Sequence, residues 1–307
     1  MPPGDDLRVL QVTTSERPFF SQQVRALEAR GVDCHTLTVP EPGGRRGPGA
    51  YLRFYAALLG EGLGDYDLVH ANYGLIGPLA LSQPIRPVVV TIWGSELLGG
   101  SAWLDRWSRV AARRADAVVV PSAVLSRELD VANETIPFGV DTDRFRPIDR
   151  AAARARVGWD DGPNVLFPYD PDRPVKNYPL AGRVVDELQA DATLRAVSGV
   201  DHAEMPYYMN ASDAVLVTSR YESGPMVVKE AAACNVPVVS TPVGFVPEVL
   251  DGVSNSHVAA STTDLVDALD DVLGDGGRAD GRDAVDALGV QQMGDRLLAT
   301  YRRLVGE

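Results

Sequence analysis

Two glutamates, Glu222 and Glu230, bracket a stretch whose residue types suit anion binding. Residues 214–218 read as a strand, 219–225 as a turn and 226–234 as a helix. Pro225 fits the first helical position, where a missing N–H costs nothing, and Gly224 allows close backbone approach. The free N–H groups of Met226, Val227 and Val228 then point out of the helix start with the positive end of its dipole, which suits a phosphate. Glu222 precedes that start, and Glu230 follows it by about 7 Å of helix axis. Taken singly, Glu222 reads as a cap and Glu230 as a solvated helix residue. Together with the turn and Pro225, an acid at each end suits a ligand with hydroxyls on both sides of its phosphates, such as a nucleotide sugar.

Composition adds a second signal. The 307 residues carry a formal net charge of −13, with 27 arginines, two lysines, 29 aspartates and 13 glutamates. Many aspartates and almost no lysine make a surface that stays hydrated in concentrated salt, so a halophilic, cytoplasmic protein is expected. Both lysines, Lys176 and Lys229, fall at or beside the proposed anion site. Lys176 reads as a phosphate ligand and Lys229 as a solvated helix residue. The acid is uneven, with a net of −2 over residues 1–150 and −11 over 151–307. Such a chain lacks the basic face that nucleic-acid binding needs.

Other motifs fail their context. Asp141-Thr142-Asp143 matches a D-x-D metal pattern, but three such pairs occur among 29 aspartates, about as many as chance gives. With four scattered histidines and two cysteines 200 positions apart, no metal and no cofactor are expected. The Gly60-x-Gly62-x-Gly64 run precedes a strand instead of following one, which is the reverse of a dinucleotide fingerprint. Residues 1–6 have neither the basic start nor the apolar run of a signal peptide.

Strands are expected over 7–12, 34–39, 67–71, 87–93 and 116–121. Helices are expected over 20–30, 51–59, 74–81 and 102–115. After residue 147 the alternation restarts, with helices over 150–157, 178–188, 203–209 and 226–234 and strands over 165–167, 194–197, 214–218 and 236–240. This is an α/β chain of two doubly wound, Rossmann-like domains facing a cleft. The expected division is 1–147, acceptor side; 148–282, nucleotide-sugar side; and 283–307, a helix packing back on the first domain. Residues 274–281 read as a linker, and residues 283–304 as one helix. Helix 101–115 carries Trp103 and Trp107 among arginines. They either pack on the sheet or form a peripheral membrane contact.

Glu222-x7-Glu230, continued by residues 231–239, resembles the E-x7-E signature of the family 4 retaining glycosyltransferases, which have the GT-B fold. Residues 199–213, the loop 136–145, and the stretches 69–74 and 92–96 resemble further segments of that family in the same order. The resemblance implies that Glu222 contacts donor-sugar hydroxyls and Glu230 the ribose. The backbone of Ser223, Gly224, Pro225, Met226 and Val227 would hold the diphosphate and sugar. The family's basic pair on the first βα loop of the second domain maps to Arg173 and Lys176. Many members have a histidine where this chain has Trp93. On the acceptor side the candidates are therefore Trp93 and His70, and His70 reads equally as a hydrogen-bonded structural residue.

The expected reaction is metal-independent transfer of a sugar, with retention, from a nucleoside-diphosphate sugar to a hydroxyl of a glycan, lipid-linked or small-molecule acceptor. A nucleotide-sugar epimerase of the same fold and a noncatalytic carbohydrate-binding subunit stay open as alternatives. A nicotinamide dehydrogenase is disfavoured, because no glycine-rich turn follows the first strand.

Overall fold

The computed structural model describes residues 7–41, 46–62 and 64–306. Residues 1–6, residues 42–45 of the Pro/Gly-rich segment 40–49, one position of the Gly60–Gly64 run and residue 307 lie outside them. The chain divides into two compact units, Met1–Gly139 with Val290–Glu307, and Val140–Gly289.

In the first unit the elements are β1 (Arg8–Thr13), α1 (Pro18–Glu28), β2 (Asp33–Thr38), α2 (Pro48–Glu61), β3 (Leu68–Asn72) and α3 (Gly77–Ser82). They continue as β4 (Val88–Thr91), α4 (Ser95–Leu98), α5 (Ala102–Ala112), β5 (Ala117–Val120), α6 (Ala123–Glu128) and β6 (Glu134–Thr135). The sheet is parallel throughout, in the order β2-β1-β3-β4-β5-β6. Its central strands are buried on both faces because helices cover both. Val12 pairs with Ala71 and Ala71 with Val90, a row of side chains shielded from water.

The second unit runs α7 (Arg150–Val157), β7 (Asn164–Phe167), α8 (Tyr178–Asp186), β8 (Thr193–Ala196), α9 (Met205–Ala211), β9 (Ala214–Val217), α10 (Met226–Ala233) and β10 (Val238–Ser240). It ends with α11 (Val246–Val249), β11 (His257–Val258), α12 (Thr262–Asp275) and α13 (Gly281–Asp286). Its parallel sheet has the order β11-β10-β9-β7-β8. Strand order reverses between β7 and β9, so the loops leaving their carboxyl ends open side by side, where doubly wound sheets bind ligands.

Several short elements are absent from the sequence reading, β6, β11, α4, α6 and α11 among them, and three larger differences bear on the architecture. Helix α12 is absent from that reading, although Ser261 caps the helix by accepting from the Asp264 N–H at 3.1 Å and Leu265, Leu269 and Val272 are buried. Residues 274–281 are not one linker, because α12 continues to Asp275 and ends at left-handed Gly276. The expected helix 283–304 is broken at residues 287–289, where Val140 N–H bonds the Leu288 carbonyl at 3.0 Å. It resumes as α14 (Val290–Val305), part of the first unit. There α14 packs on α1 so closely that a Cβ on Gly294 would lie 2.8 Å from the Arg30 guanidinium.

Candidate functional site

In the second unit the loops after β7 and β9 are tied together. Thr218 Oγ1 donates to the Lys176 carbonyl at 3.0 Å, and Arg220 N–H donates to the Val175 carbonyl at 2.9 Å. This brings the side chains of Lys176 and Glu222 into a direct ion pair on Glu222 Oε1, which also accepts from Ser219 Oγ at 2.9 Å. Lys176 Nζ lies 3.8 Å from the centre of the Tyr169 ring, a cation–π contact. Burial pushes the Lys176 ammonium pKa below its ordinary value, and the Glu222 carboxylate opposes that shift. Arg173 is exposed, and its charge adds to the downward push on Lys176. Among the described residues its guanidinium makes no hydrogen bond or ion pair.

Glycine is required in the turn that follows. A Cβ on Gly224 would lie 2.0 Å from the Phe245 ring, and one on Gly244, at φ +55°, would lie 2.8 Å from the Gly224 nitrogen. Pro225 sits one place earlier than expected. It is the N-cap of α10, with ψ 110°, and Met226 is the first helical residue. Its carbonyl accepts from Val228 N–H at 3.1 Å. Among the described residues Met226 and Val227 N–H have no partner, so two donors and the helix dipole face the Lys176–Glu222 pair's end of the helix.

Helix α10 is buried on nearly every side, from Val228 to Ala233. That overturns the expectation that Lys229 is solvated. Lys229 is buried with Nζ 4.3 Å from the Phe245 ring centre, and burial pushes its pKa down to about 7. Glu230 is no solvated helix residue either. Its side chain is 8% exposed, and Oε1 lies 3.0 Å from His202 Nε2. His202 was not singled out in the sequence, and no local pattern marks it.

In the first unit His70 stands on β3, fully buried, with Nδ1 2.6 Å from Tyr301 Oη and Nε2 2.6 Å from Thr91 Oγ1. Burial pushes its pKa down to about 3. Both ring nitrogens are occupied, so His70 is structural and its acceptor-side reading is withdrawn. Trp93 is half-buried between Phe19 and Tyr73, with ring centres 4.8 and 5.4 Å away, and its buried indole N–H has no hydrogen-bond partner among the described residues.

The sequence reading also missed Glu96. It is fully buried and accepts three backbone N–H bonds, from Gly74 (3.0 Å), Trp93 (2.8 Å) and Gly94 (2.8 Å). Burial pushes its pKa up, and the three donors oppose that shift. It fixes two turns that pass through positive φ, at Tyr73 (114°) and Gly94 (115°). An acid just after Ser95, in the first turn of α4, was the available signal.

The tryptophans of α5 do not pack on the sheet. Trp103 is 60% and Trp107 42% exposed, while Ser108, Ala111 and Ala112 face inward. The reason is steric. A Cβ on Gly74 would lie 2.4 Å from Ser108 Oγ, and one on Gly77 2.5 Å from Ala111 Cβ, so only small residues fit this contact. No described helix is long and apolar enough to cross a membrane. Among the described residues no three His, Cys, Asp or Glu side chains come together in a way that could hold a metal ion.

Two family models match the chain. "Glycosyl transferase 4-like domain" matches residues 3–136, and "Glycosyl transferases group 1" matches residues 183–284. D-inositol 3-phosphate glycosyltransferases of Mycobacterium tuberculosis and Mycobacterium bovis are 28% identical over 302 residues, covering 80% of this chain. The chain spans 63% of the length of these curated relatives. Among solved structures, sucrose-phosphate synthase from Thermosynechococcus elongatus superposes with a TM-score of 0.84 at 19% identity, covering 98% of this chain and 99% of that one. Anabaena HepE in complex with UDP and glucose gives 0.77 at 16% identity, covering 97% and 100%. The two parallel sheets are those of the GT-B fold.

Proposed function

We propose that this chain, which belongs to the group 1 glycosyl transferase family with a 4-like first half, moves a sugar from a nucleoside-diphosphate donor to an acceptor hydroxyl with retention. The observation that carries this reading is the cluster at the β7/β9 switch point. Buried Lys176 is paired with Glu222 beside the two unpartnered N–H groups that open α10, and Glu230 lies eight residues further on. When the C–O bond to the leaving diphosphate breaks, negative charge grows on phosphate oxygen. Lys176, Arg173 and the backbone from Ser223 to Val227 supply fixed positive charge and N–H donors there. Each such donor is worth about 3 kcal/mol in a water-excluded site. Glu222 then accepts from sugar hydroxyls and Glu230 from the ribose. No metal or cofactor takes part. That HepE was solved with UDP supports a uridine donor.

The acceptor is a hydroxyl of a glycan, a lipid-linked sugar or a small-molecule glycoside, and Trp93 is the remaining acceptor-side candidate. The exposed Trp103 and Trp107, with exposed Arg106 on the same helix, support a peripheral contact with a membrane surface on the cytoplasmic side. Vesicle flotation at working salt should recruit wild type but not the Trp103→Ala/Trp107→Ala variant; equal flotation of both removes this contact. The donor reading is tested by thermal shift in high salt. A nucleoside diphosphate at a hundred times its Kd adds about 2.7 kcal/mol. A panel of uridine, guanosine, adenosine and thymidine diphosphates in which none raises the melting temperature would contradict it.

A further inference from the structure

Glu230 is held by more than the helix that carries it. His202 Nε2 lies 3.0 Å from its Oε1, and the other ring nitrogen, Nδ1, lies 3.0 Å from Arg144 Nη1. A guanidinium can only donate, so Nδ1 accepts. The ring proton therefore sits on Nε2 and is donated to Glu230. Glu230 Oε2 makes no hydrogen bond among the described residues.

The far end of this chain is anchored. Arg144 N–H donates to Asp141 Oδ1 at 3.0 Å, and its Nε lies 3.7 Å from Asp141 Oδ2. Phe145 is fully buried and meets the His202 ring edge-on at 5.3 Å between centres. Arg282 donates to the carbonyls of Thr142 (2.8 Å), Phe145 (2.9 Å) and Ala233 (2.9 Å). The last of these ends α10, so segment 141–145 and the helix bearing Glu230 are clamped by one guanidinium.

We propose that His202, backed by Arg144, is a positioning residue for Glu230. It occupies Oε1, sets the plane of the carboxylate and leaves Oε2 to accept from the ribose hydroxyls of a nucleoside diphosphate. The proposal rests on the donor-site reading given above. A carboxylate free to rotate and hydrate must be ordered again on each binding event, whereas one held by a neutral imidazole is already aimed.

The test is calorimetric titration of the full chain with uridine, adenosine and guanosine diphosphates, and with the 2′,3′-dideoxy form of whichever binds tightest. Wild type should prefer the ribose form by tenfold or more. His202→Ala should weaken that form about tenfold and the dideoxy form less than twofold, so the preference collapses. His202→Gln, which keeps a donor near the Nε2 position, should restore most of it. Equal weakening of both ligands by His202→Ala, or no change in either, overturns the positioning role. If His202→Ala does not fold, His202→Phe takes its place beside His202→Gln with the same expected split. Binding of none of the three diphosphates by wild type overturns the donor-site reading beneath the proposal. Wild-type binding without preference for the ribose form overturns the ribose role of Glu230.

Discussion

Replacing Lys176 by alanine separates the chemistry of the site from its folding. The Lys176 side chain is 6% exposed and its partner Glu222 17% exposed. Removing one member of a fully buried pair costs about 3–5 kcal/mol, because the other charge is stranded. Here Glu222 keeps the Ser219 hydroxyl and some water, so the expected loss of stability is near the lower end, about 3 kcal/mol, including the lost contact with the Tyr169 ring. The loss in turnover should be about 3 kcal/mol more of barrier, a hundredfold or greater. The Lys176→Ala/Glu222→Ala double variant removes the stranded carboxylate as well. Its stability should exceed the additive expectation by about 1–3 kcal/mol, while its turnover should stay as low as that of the single variant. Urea unfolding gives the first quantity, and initial rates of nucleoside-diphosphate release at saturating donor give the second. Wild-type turnover in Lys176→Ala, or strictly additive stabilities, would refute the reasoning.

Glu230→Ala should weaken nucleoside-diphosphate binding about tenfold and leave inorganic pyrophosphate binding unchanged, as read by titration calorimetry; equal loss for both ligands argues against a ribose role. Activity should persist in EDTA, and its loss on chelation with recovery on adding magnesium or manganese would contradict a metal-independent site. His70 gives a pH signature. Its folded pKa of about 3 lies below the unfolded value of about 6.5, so the stability it contributes is fully present above pH 6.5 and lost as pH falls towards 3. Each pH unit in that window costs up to about 1.4 kcal/mol. A His70→Gln variant should lose less stability than wild type between pH 6.5 and 4, and parallel curves would show that His70 is not the group responsible.

The strand–helix order of both sheets was legible because parallel strands covered on both faces read as short runs such as Val88–Thr91 and Ala214–Val217, with turn residues at their ends. Where the reading failed, tertiary packing outweighed local pattern. Helix α12 carries five aspartates in and around its buried stretch, which mask its apolar stripe. The Trp103/Trp107 face looked like an inward face by size, yet the contact with Gly74 and Gly77 admits only Ser108 and Ala111. Lys229 reads as solvated because lysine in a helix is ordinarily at the surface, whereas α10 lies inside the unit. Lys176 and Glu222 are 46 positions apart, and scarcity of lysine drew attention to the first where turn chemistry drew it to the second. Their contact comes from the Thr218 and Arg220 bonds that join the two loops. His202 and Glu96 carried little signal, because a histidine in a loop or an acid after a serine gains meaning only from the groups folded against it.

The central claim is that the β7/β9 cluster makes this chain a nucleotide-sugar-dependent transferase. Its most direct test is nucleoside-diphosphate release from a panel of nucleotide sugars, with and without glycan and lipid-linked acceptors, by wild type and by Glu222→Ala and Lys176→Ala. The account predicts acceptor-dependent release from at least one donor, lowered a hundredfold or more in both variants while each keeps a cooperative unfolding transition. Release that persists at wild-type rate in either folded variant, or no release from any donor with any acceptor, would contradict it.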